Sequence, residues 1–156
     1  MVGPSSEARL KELGVVLPPP PTAFGAYVEA VQCGSLLFLS GMLPVAGHVP
    51  IYLGLVGRDL SVREGYDAAR AACLSGLAAA RVYLGSLDRI RAIAKLAVYL
   101  ATPADFQAHP KVADGASELL LNLFGADLVP PRIVLGVSSI PLGMPVEVEL
   151  VFEIEA

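Results

Sequence analysis

The chain has 156 residues, a length that fits one domain whose core can stand without disulfide or metal staples. Net charge is −4, the only lysines are Lys11, Lys95 and Lys111, and basic residues form no cluster. This excludes the positive stripe that a sequence-independent nucleic-acid binder needs to neutralise phosphates. A hydrophobic fraction of 54% beside a charged fraction of 17% is high for a small monomer and points either to a second buried surface, such as a subunit interface, or simply to an Ala- and Val-rich core, the interface being favoured.

In chain order, residues 1–14 are polar and lack an apolar leader run, and no apolar stretch reaches the ~18 residues of a membrane-spanning helix. A cytoplasmic location is therefore expected. Ser5 or Ser6 can cap a short helix over residues 7–13 that stops at Gly14, and the prolines at 18–21 form a stiff connector. Residues 1–24 read as an N-terminal arm and 25–156 as the domain proper. Residues 27–31 and 36–40 are β-like runs around a Gly34-Ser35 turn. The Gly- and Pro-punctuated stretch 43–57 holds one further apolar run, 51–56, expected as a third strand.

Ser61-Val62-Arg63-Glu64 is a capping box: a hydroxyl for an orphan amide and a glutamate three residues on. The helix it opens runs to about Leu84 and closes at Gly85. Tyr66, Ala69, Cys73, Leu77, Ala80 and Leu84 recur on one face at helical spacing. Residues 90–101 read as a central strand, with Ile93, Lys95, Ala97 and Tyr99 on one face. Thr102-Pro103-Ala104-Asp105 is a second capping box; His109-Pro110 breaks that turn, and a longer helix follows to Phe124, closed by Gly125. Residues 132–137 form a strand, 141–145 a loop, and 146–154 a half-buried strand. In the last, Val146, Val148, Leu150, Phe152 and Ile154 face one way and Glu147, Glu149, Val151 and Glu153 the other. The expected class is α+β, a mixed sheet with two helices on one face.

No phosphate-binding loop, dinucleotide fingerprint, nucleophile elbow or zinc-helix motif occurs. His48 and His109 lie in expected loops, too few for a metal site. Cys33 and Cys73 are far apart in apolar contexts and read as reduced core residues.

Arg132 opens an apolar strand directly after Pro130-Pro131. It offers either a planar fork for a carboxylate or an ordinary salt bridge to the glutamates of the last strand. Glu147 is either one member of an exposed acidic row or a carboxylate that orients water and moves a proton. Tyr27, after Gly25-Ala26, is either a core aromatic or a hydroxyl aimed into a cleft. Gly41 is either a turn or a point of close ligand approach to backbone.

Several segments, in order, resemble the YjgF/RidA family, also called L-PSP endoribonuclease. Gly25-Ala26-Tyr27 is similar to its Gly-Pro-Tyr, and Leu39-Ser40-Gly41-Met42-Leu43-Pro44 to its strand ending in Ser-Gly-Gln-x-Pro. Gly85-Ser86-Leu87-Asp88, Pro130-Pro131-Arg132 and Val146-Glu147-Val148-Glu149 have counterparts too. The chain departs at Met42, in place of the glutamine, at Ile133, bulkier than usual, and at Val134, where cysteine is frequent. An asparagine common on the second helix has no clear counterpart at 112–115. The resemblance implies a chorismate-mutase-like subunit and a homotrimer with clefts between chains. It also implies hydrolysis of 2-imino acids and their enamines to 2-keto acids and ammonia, with no cofactor. In that picture Arg132 grips the substrate carboxylate, Tyr27 lines the cleft, Glu147 holds the attacking water, and the backbones of Gly41 and Val134 fix the imine end. Two other readings stand beside it: a non-catalytic trimer that binds small carboxylates, and an endoribonuclease, which the acidic balance disfavours.

Overall fold

Helix α1, Ser6–Glu12, is capped by the Ser5 hydroxyl, which accepts the Ala8 N–H, and it lays Leu10 into the main core. The computed structural model describes residues 3–155. Strands β1, Ala30–Cys33, and β2, Leu36–Leu39, form a hairpin, and a small separate hairpin, β3 (Val45–Ala46) and β4 (Val49–Pro50), follows. Helix α2, Val62–Leu84, opens with the reciprocal Ser61/Glu64 box and ends at Gly85 in the left-handed conformation, as expected. Strand β5 is Ile90–Ala101, helix α3 His109–Phe124, β6 Arg132–Val137 and β7 Val146–Ile154.

The five long strands lie in the order β1-β2-β7-β5-β6. Only β5 and β6 are parallel, joined across α3; the other pairs are antiparallel. Helices α2 and α3 cover one face, packing small residues such as Ala69, Cys73 and Ala116 over Leu37, Leu96, Val98, Leu150 and Phe152. Close approach of the two helices depends on Gly115: a Cβ there would overlap the carbonyl of Tyr66 and stand 3.2 Å from the Arg70 nitrogen. The opposite face is uncovered in the single chain, and Val31, Phe38, Ile133 and Leu135 on it are 43–48% exposed. No helix among the described residues is long and apolar enough to cross a membrane.

Five local expectations are corrected. Residues 51–56 are not a strand. Their amides go to scattered partners, Gly54 N–H to the Gly143 carbonyl at 2.8 Å and Val56 N–H to that of Ala101 at 2.9 Å, so no ladder forms. Residues 102–105 do not start a helix, because the Thr102 N–H bonds the Val137 carbonyl at 3.1 Å and so prolongs the β5–β6 pairing. The first strand begins at Ala30 rather than at Tyr27. Ile93 does not share a face with Lys95, since a register shift between them lets β5 change phase. Ile93 therefore joins the core, while Lys95, Ala97 and Tyr99 look out on the open face. Cys33 is exposed; only Cys73 is a core thiol, and burial pushes its pKa up to about 12.

Candidate functional site

The geometry around Glu147 begins with strand pairing. After β2 ends at Leu39, the chain stays tied to β7 through Met42, whose N–H and C=O pair with Val148 at 2.7 and 2.8 Å. That bridge buries Met42 and holds Gly41 against Glu147, the first open-face residue of β7. A Cβ on Gly41 would lie 2.9 Å from the Glu147 carboxylate carbon, so a larger residue there would have to push the carboxylate from this position.

Glu147 is half-buried, and burial alone raises its pKa above the ordinary 4.5; no charge or hydrogen bond offsets it. Two residues on, Glu149 differs. It accepts Lys95 Nζ at 2.8 Å and the Tyr99 hydroxyl at 3.2 Å. Of these two neighbouring carboxylates, only Glu147 has no protein donor among the described residues.

Glu147 and Gly41 separate two cavities. One, about 410 Å³, is walled by Phe24, Tyr27, Leu43 and Pro141, with Ser40 contributing to its rim. The other, about 470 Å³, is more polar and is lined by Tyr99, Ser139 and Glu149. The Tyr27 hydroxyl accepts the Phe24 N–H at 2.9 Å, which leaves its own proton available to a ligand. Phe24 in turn stacks on His48 with ring centroids 4.1 Å apart, and His48 Nδ1 lies 2.8 Å from the Thr22 hydroxyl. Residues 22–24 are thus tied to the β3–β4 turn.

The structure does not bring Arg132 to this place. Arg132 is registered with Leu96 and Glu147 with Tyr99; Leu96 lies under the helices and Tyr99 on the open face. Within one chain the two side chains therefore project from opposite faces of the sheet. Arg132 Nη1 donates to Asp114 Oδ1 at 2.8 Å and to Ser117 Oγ at 3.0 Å. Nε and Nη2, the edge that suits a bidentate carboxylate, have no protein acceptor among the described residues. Val134 shares the Arg132 face. Strand β6 is an edge, and the bonds from Leu96 N–H to the Pro131 carbonyl and from Thr102 N–H to the Val137 carbonyl set an alternation that turns the Val134 N–H and C=O outward, to the unpaired side. Arg132 and Val134 thus form one group, at the β6 edge, and Tyr27, Gly41 and Glu147 another, around the start of the inner strand β7.

Sequence reasoning missed Phe24, Leu43 and Pro141 as cavity walls. It also missed Asp114 and Ser117 as the partners of Arg132. The helical spacing of Asp114 and Ser117, three residues apart on α3, was the available signal. His109 begins α3 instead of lying in a loop, and it packs edge-on to Phe106. No group of three or more metal-ligating side chains occurs among the described residues.

Residues 7–154 match the family described as "YjgF/chorismate mutase-like, putative endoribonuclease". The chain is 36% identical over 148 residues to Protein TCP17 of Trypanosoma cruzi, covering 94% of this chain and 92% of that protein. A crystal structure from Shewanella oneidensis MR-1 with the same endoribonuclease description is 35% identical, with a TM-score of 0.92, over 97% of this chain and 100% of the other. Protein Atu1372 from Agrobacterium tumefaciens, of unknown function, is 34% identical with a TM-score of 0.88, over 96% and 92%.

Proposed function

The chain belongs to the YjgF/RidA family, and we propose that it is a hydrolytic deaminase of 2-imino acids and their enamines, acting in clefts between the subunits of a homotrimer. The observation that carries this reading is Glu147: a half-buried carboxylate without a protein donor, set against Gly41 at the junction of two cavities.

The reaction asks little beyond positioning, because an imine carbon is already electrophilic. Glu147 takes a proton from water as the water oxygen bonds to the imine carbon, and passes that proton to the imine nitrogen, giving the carbinolamine and restoring the carboxylate. Glu147 then moves the carbinolamine hydroxyl proton to the amino group as the C–N bond breaks, so that ammonia leaves and the 2-keto acid remains. Tyr27 donates its free proton to the bound ligand. The backbones of Gly41 and Val134 hold the imine end, and the substrate carboxylate takes the Nε and Nη2 edge of Arg132, which Asp114 and Ser117 orient through Nη1. Because Arg132 and Glu147 project from opposite faces of one sheet, a complete site needs Arg132 and Val134 from a neighbouring copy. The uncovered apolar face around Phe38, Ile133 and Leu135 supports such an assembly, and sedimentation is expected to give a particle of three times 16.2 kDa.

An amino-acid oxidase generating the imine in situ tests the activity. Wild type should accelerate keto-acid release, and Arg132→Ala should lose about two orders of magnitude in kcat/KM, the scale of losing a desolvated charged contact to substrate. Full turnover by Arg132→Ala would remove the arginine from the site. Saturable binding of 2-keto acids without turnover would favour the non-catalytic carboxylate-binding reading. The endoribonuclease description carried by relatives finds less support here, because a net charge of −4 with no cluster of basic residues offers a phosphate backbone no positive stripe.

A further inference from the structure

The 410 Å³ cavity beside Glu147 is larger and more apolar than a substrate with a methyl side chain needs. We propose that it is a side-chain pocket that selects 2-imino acids bearing large uncharged apolar groups, branched aliphatic or aromatic; this substrate class rests on the deaminase reading above.

Three features carry the argument. First, the walls are Phe24, Leu43, Pro141 and the Tyr27 ring, and among the described residues the one charged lining group is Glu147. A methyl group would leave these walls facing water, whereas a larger apolar group displaces that water and gains the burial. Second, the pocket is held in shape before any ligand arrives. Phe24 is fixed on both sides, its N–H by the Tyr27 hydroxyl and its ring by His48, itself tied to Thr22. Leu43 is buried in a satellite core with Val45, Ala101, Ile140 and Met144. A preformed wall costs little ordering on binding. Third, the cavity on the far side of Glu147 is the more polar of the two, setting Tyr99, Ser139 and Glu149 among Leu39, Val137 and Ile140. Glu147 thus stands between a mainly apolar side and a mixed one. An anionic side chain in the apolar cavity would meet the Glu147 charge, and a cationic one would be desolvated against Phe24 and Leu43 with Glu147 as its sole counter-charge, competing with the attacking water.

The test uses the full-length protein. Imines made in situ by amino-acid oxidases from alanine, leucine, phenylalanine and arginine are compared as kcat/KM, and binding of pyruvate, 4-methyl-2-oxopentanoate and phenylpyruvate is measured by calorimetry. The leucine- and phenylalanine-derived imines should exceed the alanine- and arginine-derived ones by about tenfold or more, the scale of discrimination by an apolar pocket. The keto acids should bind in the same order, and Phe24→Ala should shrink both ratios. Leu43→Phe, which fills the cavity, gives a second variant should Phe24→Ala not fold, and it should turn the preference toward the small substrate. Turnover with equal or reversed preference overturns the pocket and leaves the deaminase reading intact. Ordered keto-acid binding without turnover upholds the pocket and overturns the deaminase reading. Keto acids that bind without order, or not at all, overturn the pocket.

Discussion

Glu147→Gln should lower kcat for imine hydrolysis by about 10²- to 10⁴-fold, the usual contribution of a positioned general base, while leaving the fold and thermal midpoint close to wild type. Glutamine keeps the shape and polarity next to Gly41 but cannot take a proton from water. The choice between neighbouring carboxylates follows from their surroundings. Glu149 is ion-paired with Lys95 at 2.8 Å and accepts the Tyr99 hydroxyl at 3.2 Å, whereas Glu147 has burial without a donor among the described residues. The same burial predicts the pH profile. A raised carboxyl pKa keeps more of Glu147 protonated at mildly acidic pH, and the protonated form is not a base. Activity in wild type should therefore fall as pH drops through a value above the ordinary 4.5, and recover as pH rises. In Glu147→Gln that acid limb should be missing from the residual rate. Wild-type kcat in the variant, or an unchanged acid limb, would take the proton-transfer role away from this residue.

Gly115→Ala should destabilise the protein by about 2 kcal/mol, even though alanine is the better helix former by about 1 kcal/mol. The added methyl overlaps the Tyr66 carbonyl and comes within 3.2 Å of the Arg70 nitrogen. The obstacle is thus the α2 backbone and not a side chain that can swing away. Relief requires α3 to move off α2, which loosens contacts among Ala69, Val112, Ala113 and Ala116 in the core. For a chain of this size the thermal midpoint should drop by roughly 4–8 °C. A midpoint equal to wild type would mean the helices do not depend on that close approach. Because α3 carries Asp114 and Ser117, the same variant reports whether the Arg132 anchor tolerates a shift of its helix.

Elements marked by local chemistry were legible from residues alone. The Ser61/Glu64 box and Gly85 bracket α2 because caps satisfy orphan amides and carbonyls within a few residues of sequence. The alternation from Val146 to Ile154 reports one buried and one open face because successive side chains of a strand point oppositely. Residues 51–56 and 102–105 misled for the converse reason. Their apolar or capping pattern was real, but distant carbonyls of Gly143, Ala101 and Val137 took or redirected their amides.

The sequence by itself determined the candidate residues and the class of fold. Arg132 after two prolines, Glu147 on an alternating strand, Tyr27 and Gly41 all stood out from neighbours in the chain, and strand and helix periods set an α+β sheet with helices on one face. Only the tertiary structure decided which of these residues meet. Register across β5 puts Arg132 level with Leu96, under the helices, and Glu147 level with Tyr99, on the open face. The cavity walls come from Phe24, Leu43 and Pro141, which no local pattern links. Face and register arise from cross-strand hydrogen bonds between residues dozens of positions apart, and one bulge between Ile93 and Lys95 reverses the phase of all that follows.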